Sequence, residues 1–462
     1  MSEKLQSNWK EIAKWIAIIG VPLLILLIPV SEPITTEMKI YLAITMFGIL
    51  TFVTAPFDFA VGGIIMMTLY VATGIAPFGT AFGSFSQFVP WTVFGCFLLL
   101  NIVQNHTDLI ERIAYTLLIK TGGTYKGIIF AIICLGIVIN LIIPGVFTAM
   151  AIGALAFGIC EQLELGKSKA STGIMMAAIL GFLESWCFIY CPADMGVLVG
   201  AANNIVPMTM DYFTHFKYGL VYLPVPFLTG LLIMFFCKPE KEINGKEYFI
   251  EKQKELGLMS LDSKKVLGVL IVFAIYLFTY QWHGMDMTYG FLLAPMLLYM
   301  PGLNIADKND IATVNWAMIV FVASCISIGL VANAVGIPQV ISEVALPYLQ
   351  EMTSEVFILV VYFFVVIFNF MMTPMAMVAS FVAPVTQIAV DMGIDPYAVL
   401  YAFDRGCYNI LLPYEAALVA AFVAFGNTRM DLFMKIWGTK IFLGAAYLFL
   451  IACPYWRLIG IL

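Results

Sequence analysis

Apolar residues along this 462-residue chain gather into runs of about 17–22, the length that crosses roughly 30 Å of hydrocarbon as a helix, and they lack the ten-residue alternation of barrel strands. The runs predict spans near 12–30, 39–55, 60–76 and 91–110, a hairpin over 125–160, a broken helix over 171–206 and a span near 217–237. A polar stretch then interrupts the chain. Beyond it come spans near 265–281, 286–301 and 314–334, a hairpin over 355–392, a broken helix over 398–427 and a last span near 436–460. The pattern predicts an all-α polytopic membrane protein with about eleven transmembrane helices and two re-entrant hairpins. Its expected divisions are an N-terminal helix (1–38), a first repeat (39–237), a charged cytoplasmic loop (238–264) and a second repeat (265–462).

The two halves match in order. Trp91 opens one long span and Trp316 another, 225 positions apart, and Pro192 and Pro413 interrupt the broken helices 221 positions apart. Each repeat holds an odd number of spans, so the second copy enters the membrane in the opposite sense. Inverted repeats of this kind belong to alternating-access carriers, with the site near the midplane where broken helices meet. With the N-terminus in the cytoplasm, Arg112, Lys120, Lys126, the 238–264 loop, Arg429 and Lys435 all fall inside, while Lys39, Lys217 and Arg457 fall outside, as the positive-inside rule requires.

Composition narrows the class further. The chain is 62% hydrophobic and 11% charged, with a mean hydropathy of +0.97, which no water-soluble domain sustains. The net charge of −6 is modest and the basic residues form no patch for nucleic acid, so the expected partners are a small-molecule substrate, a coupling ion and the lipid bilayer. Nine cysteines lie scattered in apolar segments without CxxC pairs, which predicts buried thiols and no metal site. HExxH, GxSxG and P-loop motifs are absent, which argues against a hydrolase or an ATP-driven pump.

The candidate chemistry sits at the helix breaks. One reads Glu184-Ser-Trp186-Cys-Phe-Ile-Tyr190-Cys-Pro192-Ala-Asp194, the other Asp404-Arg405-Gly-Cys-Tyr408-Asn409-Ile-Leu-Leu-Pro413-Tyr414-Glu415. Each carries a carboxylate two residues after its proline and a charge eight residues before it. Ionisable residues inside a membrane face a cavity, a partner or a transported species. Asp194 and Glu415 are thus candidate proton carriers, cation ligands or structural partners of Arg405, with Glu184 and Asp404 in the same ion-coupling set. Arg405, expected to be the only basic residue in the membrane interior, either clamps a substrate carboxylate through its planar fork or pairs with Glu184 or Asp404. Asn140 and Thr148 near one hairpin tip, and Asn369 and Thr373 near the other, either bind substrate or cap the turn. Trp186, Tyr190, Tyr408 and Tyr414 either line the cavity or pack. His106, His215 and His283 are expected in loops or at span ends, away from any proton relay.

The stretch Trp91 to Gly123, with Asp108-Leu-Ile-Glu-Arg112-Ile-Ala and a later Thr-Gly-Gly, and the stretch Met392-Gly-Ile-Asp-Pro396 through Leu411-Leu-Pro413 to Gly426, resemble the divalent anion:sodium symporter (DASS) family of the ion transporter superfamily. That resemblance implies an elevator carrier, usually a homodimer, importing di- or tricarboxylates or sulfate with Na+, and no cofactor. The family's Ser-Asn-Thr at each hairpin tip is here Val146-Phe147-Thr148 and Pro374-Met375-Ala376. Its Thr-Pro-Pro after each break is Met195-Gly196-Val197 and Ala416-Ala417-Leu418, so of these motif positions only Thr148 is kept. The expected function is a secondary active transporter, not an enzyme, in the bacterial cytoplasmic membrane. Its substrate is an organic anion coupled to Na+ or H+, or else a zwitterion or cation held by the acids and aromatics.

Overall fold

The computed structural model describes residues 2–30, 32–54, 56–142, 146–349, 351–370 and 374–462. Among them every regular element is helical, as the apolar runs predict. Five helices are long and apolar enough to cross a membrane by themselves: Phe88–His106, Tyr212–Phe236, Trp316–Val335, Pro374–Asp391 and Met430–Ile459. Shorter apolar helices, such as Phe59–Ala72, Met287–Leu297 and Ser354–Phe368, fill the space between them. Large apolar side chains on Ser2–Leu27 and on the last helix, Leu24, Leu27, Phe442 and Leu450 among them, are exposed at the periphery, where lipid replaces water as solvent.

The repeat is visible as a recurring series. In the first half Phe88–His106 leads to Leu109–Lys120, the hairpin helices Tyr125–Ile142 and Val146–Gln162, the broken pair Lys169–Ser185 and Met195–Ala202, and then Tyr212–Phe236. In the second, Trp316–Val335 leads to Ile337–Leu349, Ser354–Phe368 and Pro374–Asp391, then Pro396–Cys407 and Ala417–Ala424, then Met430–Ile459. The helices Leu109–Lys120 and Ile337–Leu349 were not expected. In Leu109–Lys120, Ile110, Ala114 and Leu118 recur every fourth residue on one buried face while Glu111 and Lys120 stay at the surface side. It is thus an amphipathic helix too short and too polar to read as a span. The stretch 238–264, expected as a charged connecting loop alone, contains the helix Lys246–Glu255, whose Phe249 is fully buried. Arg112 ties this stretch down by donating to the carbonyls of Leu256, Gly257 and Leu258 at 2.7, 2.8 and 3.2 Å.

Close helix contact depends on small residues, because in lipid the helices are held by packing and hydrogen bonds. Gly136 and Gly181 face each other where Tyr125–Ile142 meets Lys169–Ser185. A Cβ on Gly136 would lie 2.9 Å from the Gly181 carbonyl carbon, and one on Gly181 would lie 2.7 Å from the Ile133 Cα. In the second half Gly406 fills the matching role, since its Cβ would fall 2.6 Å from the Val365 Cβ.

Each broken helix frees carbonyls that have no helical donor, and a hairpin asparagine supplies one. Asn140 donates to the Phe182 carbonyl at 2.9 Å and to the Ser185 hydroxyl at 2.6 Å. Asn369 donates to the carbonyls of Gly406 and Cys407 at 3.2 and 2.9 Å. Both asparagines are fully buried, so each hairpin is latched to the break that follows it.

Removing Asn369 strands the buried Cys407 carbonyl, and removing Asn140 strands the buried Trp186 Nε1–H that donates to it, each at about 1–3 kcal/mol. Asn140→Ala and Asn369→Ala should therefore each lower the thermal midpoint of the detergent-purified protein by several degrees. Gly181→Val should do the same by overpacking, at about 1–3 kcal/mol. Gly158→Ala, where a Cβ meets nothing within 4 Å, should be neutral. A Gly181 variant as stable as the Gly158 variant would mean that these helices do not pack at backbone distance.

Candidate functional site

The first break runs from the end of Lys169–Ser185 to the start of Met195–Ala202. Pro192 brings no N–H, and the chain crosses from one half-helix to the other through three-residue turns such as Trp186 to Leu183 and Asp194 to Cys191. Side chains claim what the break leaves open. His215 donates from Nε2 to the Trp186 carbonyl at 2.9 Å and meets the Tyr401 hydroxyl through Nδ1 at 2.8 Å, that hydroxyl lying also 3.1 Å from the His215 carbonyl. The imidazole stacks on the Tyr401 ring at 5.5 Å and is fully buried. His215 lies at the start of the span Tyr212–Phe236, as expected, but the helix Tyr212–Gly219 folds inward and buries it against the break.

The second break lies between Pro396–Cys407 and Ala417–Ala424. Here Glu415 closes its own turn, accepting the N–H groups of Leu411 and Leu412 at 3.1 and 2.8 Å. Lys440, from the last helix, donates to the Tyr408 carbonyl at 3.1 Å and to Asn409 Oδ1 at 3.0 Å. Asn409 in turn donates to the Arg405 carbonyl and, at 2.8 Å, to the Tyr362 hydroxyl.

Between the breaks lies a buried group of charges. Arg405 faces Asp404 through Nε at 3.1 Å and Nη2 at 2.5 Å, while its Nη1 lies 3.4 Å from Glu184 Oε2. The other Glu184 oxygen lies 2.9 Å from Lys440 Nζ. Asp194 accepts the Tyr408 hydroxyl at 2.6 Å, and Tyr408 in turn donates its N–H to the carbonyl of Asp404, one helical turn earlier. Glu184, Asp194, Asp404 and Arg405 are 3%, 2%, 0% and 7% exposed, so the charges compensate one another away from water. The expectation that Arg405 is the only basic residue inside the membrane is overturned by Lys440. The rule that marked Glu184, charge inside an apolar run, marks Lys440 equally well.

The structure brings Glu184, Asp194, Asp404, Arg405 and Tyr408 together. Trp186 joins them, its ring edge-on to Tyr408 at 5.4 Å and its Nε1 donating to Asn140 Oδ1 at 3.1 Å. Asn140 and Asn369 reach the breaks as latches, with Asn369 Oδ1 left buried and without a donor. Glu415 is equally buried, with both oxygens spent on backbone. Thr373 lies outside the described residues, as do the side chains of Thr148 and Tyr414. Sequence reading missed Lys440, His215, Asn409, Tyr362 and Tyr222. Lys440 apart, their roles depend on which helices cross, which no local pattern announces.

Two cavities approach the group. One, of about 470 Å³, lies between the first break and the helices Phe88–His106 and Met287–Leu297. Tyr190, Pro192 and Gly196 form its inner wall, and Asp211 and Asp286 stand beside them. The other, of about 560 Å³, is a mostly apolar groove between Val225–Phe236 and the last helix, floored by Glu184, Arg405, Asn409 and Lys440.

The chain is 23% identical over 280 residues to the inner membrane protein YbhI of Escherichia coli K12, an alignment covering 57% of this chain and 58% of that relative's length. Its fold is similar to two solved transporters. Against YdaH of Alcanivorax borkumensis the TM-score is 0.55 at 13% identity, covering 98% of both chains. Against MtrF of Neisseria gonorrhoeae, described among antimetabolite efflux pumps, it is 0.56 at 12% identity, covering 92% of this chain and 95% of that one. At such identity these two speak for the fold alone. The family model for the sodium:sulfate symporter transmembrane region matches residues 9–462, and this multi-pass membrane carrier therefore belongs to that family.

Proposed function

We propose that this carrier moves a small polar metabolite, most readily an organic anion such as a di- or tricarboxylate, across the bacterial cytoplasmic membrane, with its N-terminus in the cytoplasm. Transport is driven by a gradient of Na+ or H+. The hairpins and broken helices travel as one body against the scaffold helices of a homodimer. Family membership supports an anion and a coupling ion.

One observation carries the anion reading. Of the contacts Arg405 makes through its guanidinium nitrogens, the one to Glu184 is the longest, at 3.4 Å, and Glu184 keeps Lys440 at 2.9 Å when that contact opens. A substrate carboxylate can take the place of Glu184 on Nη1 without stranding a buried acid. The unpartnered Asn369 Oδ1 suits a cation or a substrate donor at the second hairpin. A second reading, a zwitterion or cation held by acids and aromatics, is favoured by Asp211 and Asp286 in the cavity wall beside the first break.

Proteoliposomes holding the purified protein should take up a labelled dicarboxylate, tricarboxylate or sulfate saturably, and only with an imposed ion gradient. Ohmic current without saturation would make the protein a channel. Arg405→Lys, which keeps the charge but loses the planar fork, should cut uptake of an anion by about tenfold or more. An equal loss for an anion and for a cationic solute would reduce Arg405 to a structural partner of Asp404.

A further inference from the structure

We propose that Asp194 and Asp404 share one proton, and that this proton is an ion the carrier couples to. The inference rests on the transporter reading above and names a coupling ion that family membership leaves open.

The argument begins with unmatched atoms. Asp194 Oδ1 is taken by the Tyr408 hydroxyl, and Asp404 Oδ2 by Arg405. Their other oxygens, Asp194 Oδ2 and Asp404 Oδ1, are buried with no donor in reach. Tyr408 joins the two acids, its hydroxyl held by Asp194 and its N–H by the Asp404 carbonyl one helical turn back, and two carboxylates have nothing to donate to each other. One proton between them supplies the donor and satisfies both oxygens.

Charge gives an independent count. Three acids, Glu184, Asp194 and Asp404, face two bases, Arg405 and Lys440. With every group ionised, the buried set holds one negative charge without a partner, a state that costs several kcal/mol in a medium without water. With one proton on the pair it is neutral. The remaining neighbours do not alter the count. Tyr190 and Cys191 precede Asp194 on its own loop, Cys187 lies upstream, and Tyr401, Cys407 and Tyr408 come from the second break. None of these hydroxyls and thiols carries charge in neutral water. Tyr222 packs on the Arg405 guanidinium with an equally neutral ring, and His215 is fully buried with no ion-pair partner among the described residues, which favours its uncharged form.

Position supplies the route. Tyr190, Pro192 and Gly196, which flank Asp194 in sequence, form the inner wall of the 470 Å³ cavity, with Asp211 and Asp286 beside them. A wall with acid in it concentrates cations, protons included. From the pair the charges continue through Arg405 to Glu184 and Lys440 on the floor of the second cavity. The carboxylate Glu184 that a substrate anion would displace is thus linked through one arginine to the acids that hold the proton. Bringing a substrate negative charge to Arg405 favours keeping the proton on Asp194 and Asp404, the sign required for symport.

Infrared spectroscopy of the purified protein in vesicles at neutral pH tests occupancy directly. A protonated carboxyl band should be present, shift in heavy water, and vanish in both Asp194→Asn and Asp404→Asn, since an asparagine amide donates to the remaining carboxylate without a proton. Should either asparagine variant fail to fold, Tyr408→Phe, which removes one hydroxyl from Asp194, must shift the band. Absence of the band, its persistence in both variants, or its loss when Na+ is added at constant pH would overturn the proposal. In proteoliposomes a pH gradient alone should drive uptake, with at least a tenfold loss in each asparagine variant; uptake that follows Na+ and ignores the pH gradient would overturn the coupling role. Failure of the wild type to transport any solute would sink the transporter reading while leaving the band to decide the proton.

Discussion

A backbone carbonyl in hydrocarbon has no water to turn to, and leaving one unpaired costs several kcal/mol. This chain nonetheless opens two helices in its interior, and the rest of the arrangement follows from how those openings are closed. Asn140 and Asn369 reach across from the hairpins, His215 folds in from the helix after the first break, Lys440 comes from the last helix, and Glu415 turns back on its own segment. Apart from that of Glu415, each closure joins a hairpin or a span to a break. The breaks are therefore the points through which the hairpins, the broken helices and the two closing helices are tied into one body.

The two halves solve the same problem with different chemistry. Asn140 and Asn369 are true counterparts, each donating to the end of the half-helix that precedes its break. Asp194 and Glu415 are counterparts in sequence only. Glu415 spends both oxygens on N–H groups, whereas Asp194 sits at the start of Met195–Ala202 without capping it and turns to Tyr408 and Asp404. Lys440 likewise serves the second break and has its reach across to Glu184 in the first. The repeat thus carries an asymmetric site on a symmetric frame. An acid used up as a cap in one half is kept available in the other.

Much of the frame was legible in the apolar runs. The expected span at 91–110 is the helix Phe88–His106, that at 314–334 is Trp316–Val335, and the interruptions at Pro192 and Pro413 fall inside the observed breaks. What escaped has a physical reason in each case. Leu109–Lys120 buries only one face over 12 residues, and Ile337–Leu349 is 13 residues with Pro347 inside it, so both are too short to read as spans. Lys246–Glu255 is polar and charged apart from Tyr248, Phe249 and Ile250 and resembles any charged loop. That Asp194 and Asp404, 210 positions apart, come near each other on either side of Tyr408 was not legible, because the two breaks cross only in the folded chain. His215 was set aside for lying near a span end, and only the inward turn of Tyr212–Gly219 buries it.

The charge count also bears on how such a body could move. Carrying one elementary charge across a membrane costs or yields about 2.3 kcal/mol per 100 mV, in addition to the penalty of holding it in a medium without water. A cluster with its proton is neutral and crosses without either term; the same cluster stripped of it takes one negative charge along. Substrate anion at Arg405 raises the imbalance further unless a cation travels with it. The cluster therefore favours movement when acids, bases, substrate and coupling cations sum to zero, and a state that has lost its proton but kept its substrate is held back. Coupling in this picture needs no gate of its own, since the penalty for unbalanced charge at Glu184, Asp194, Asp404, Arg405 and Lys440 selects which loaded states cross.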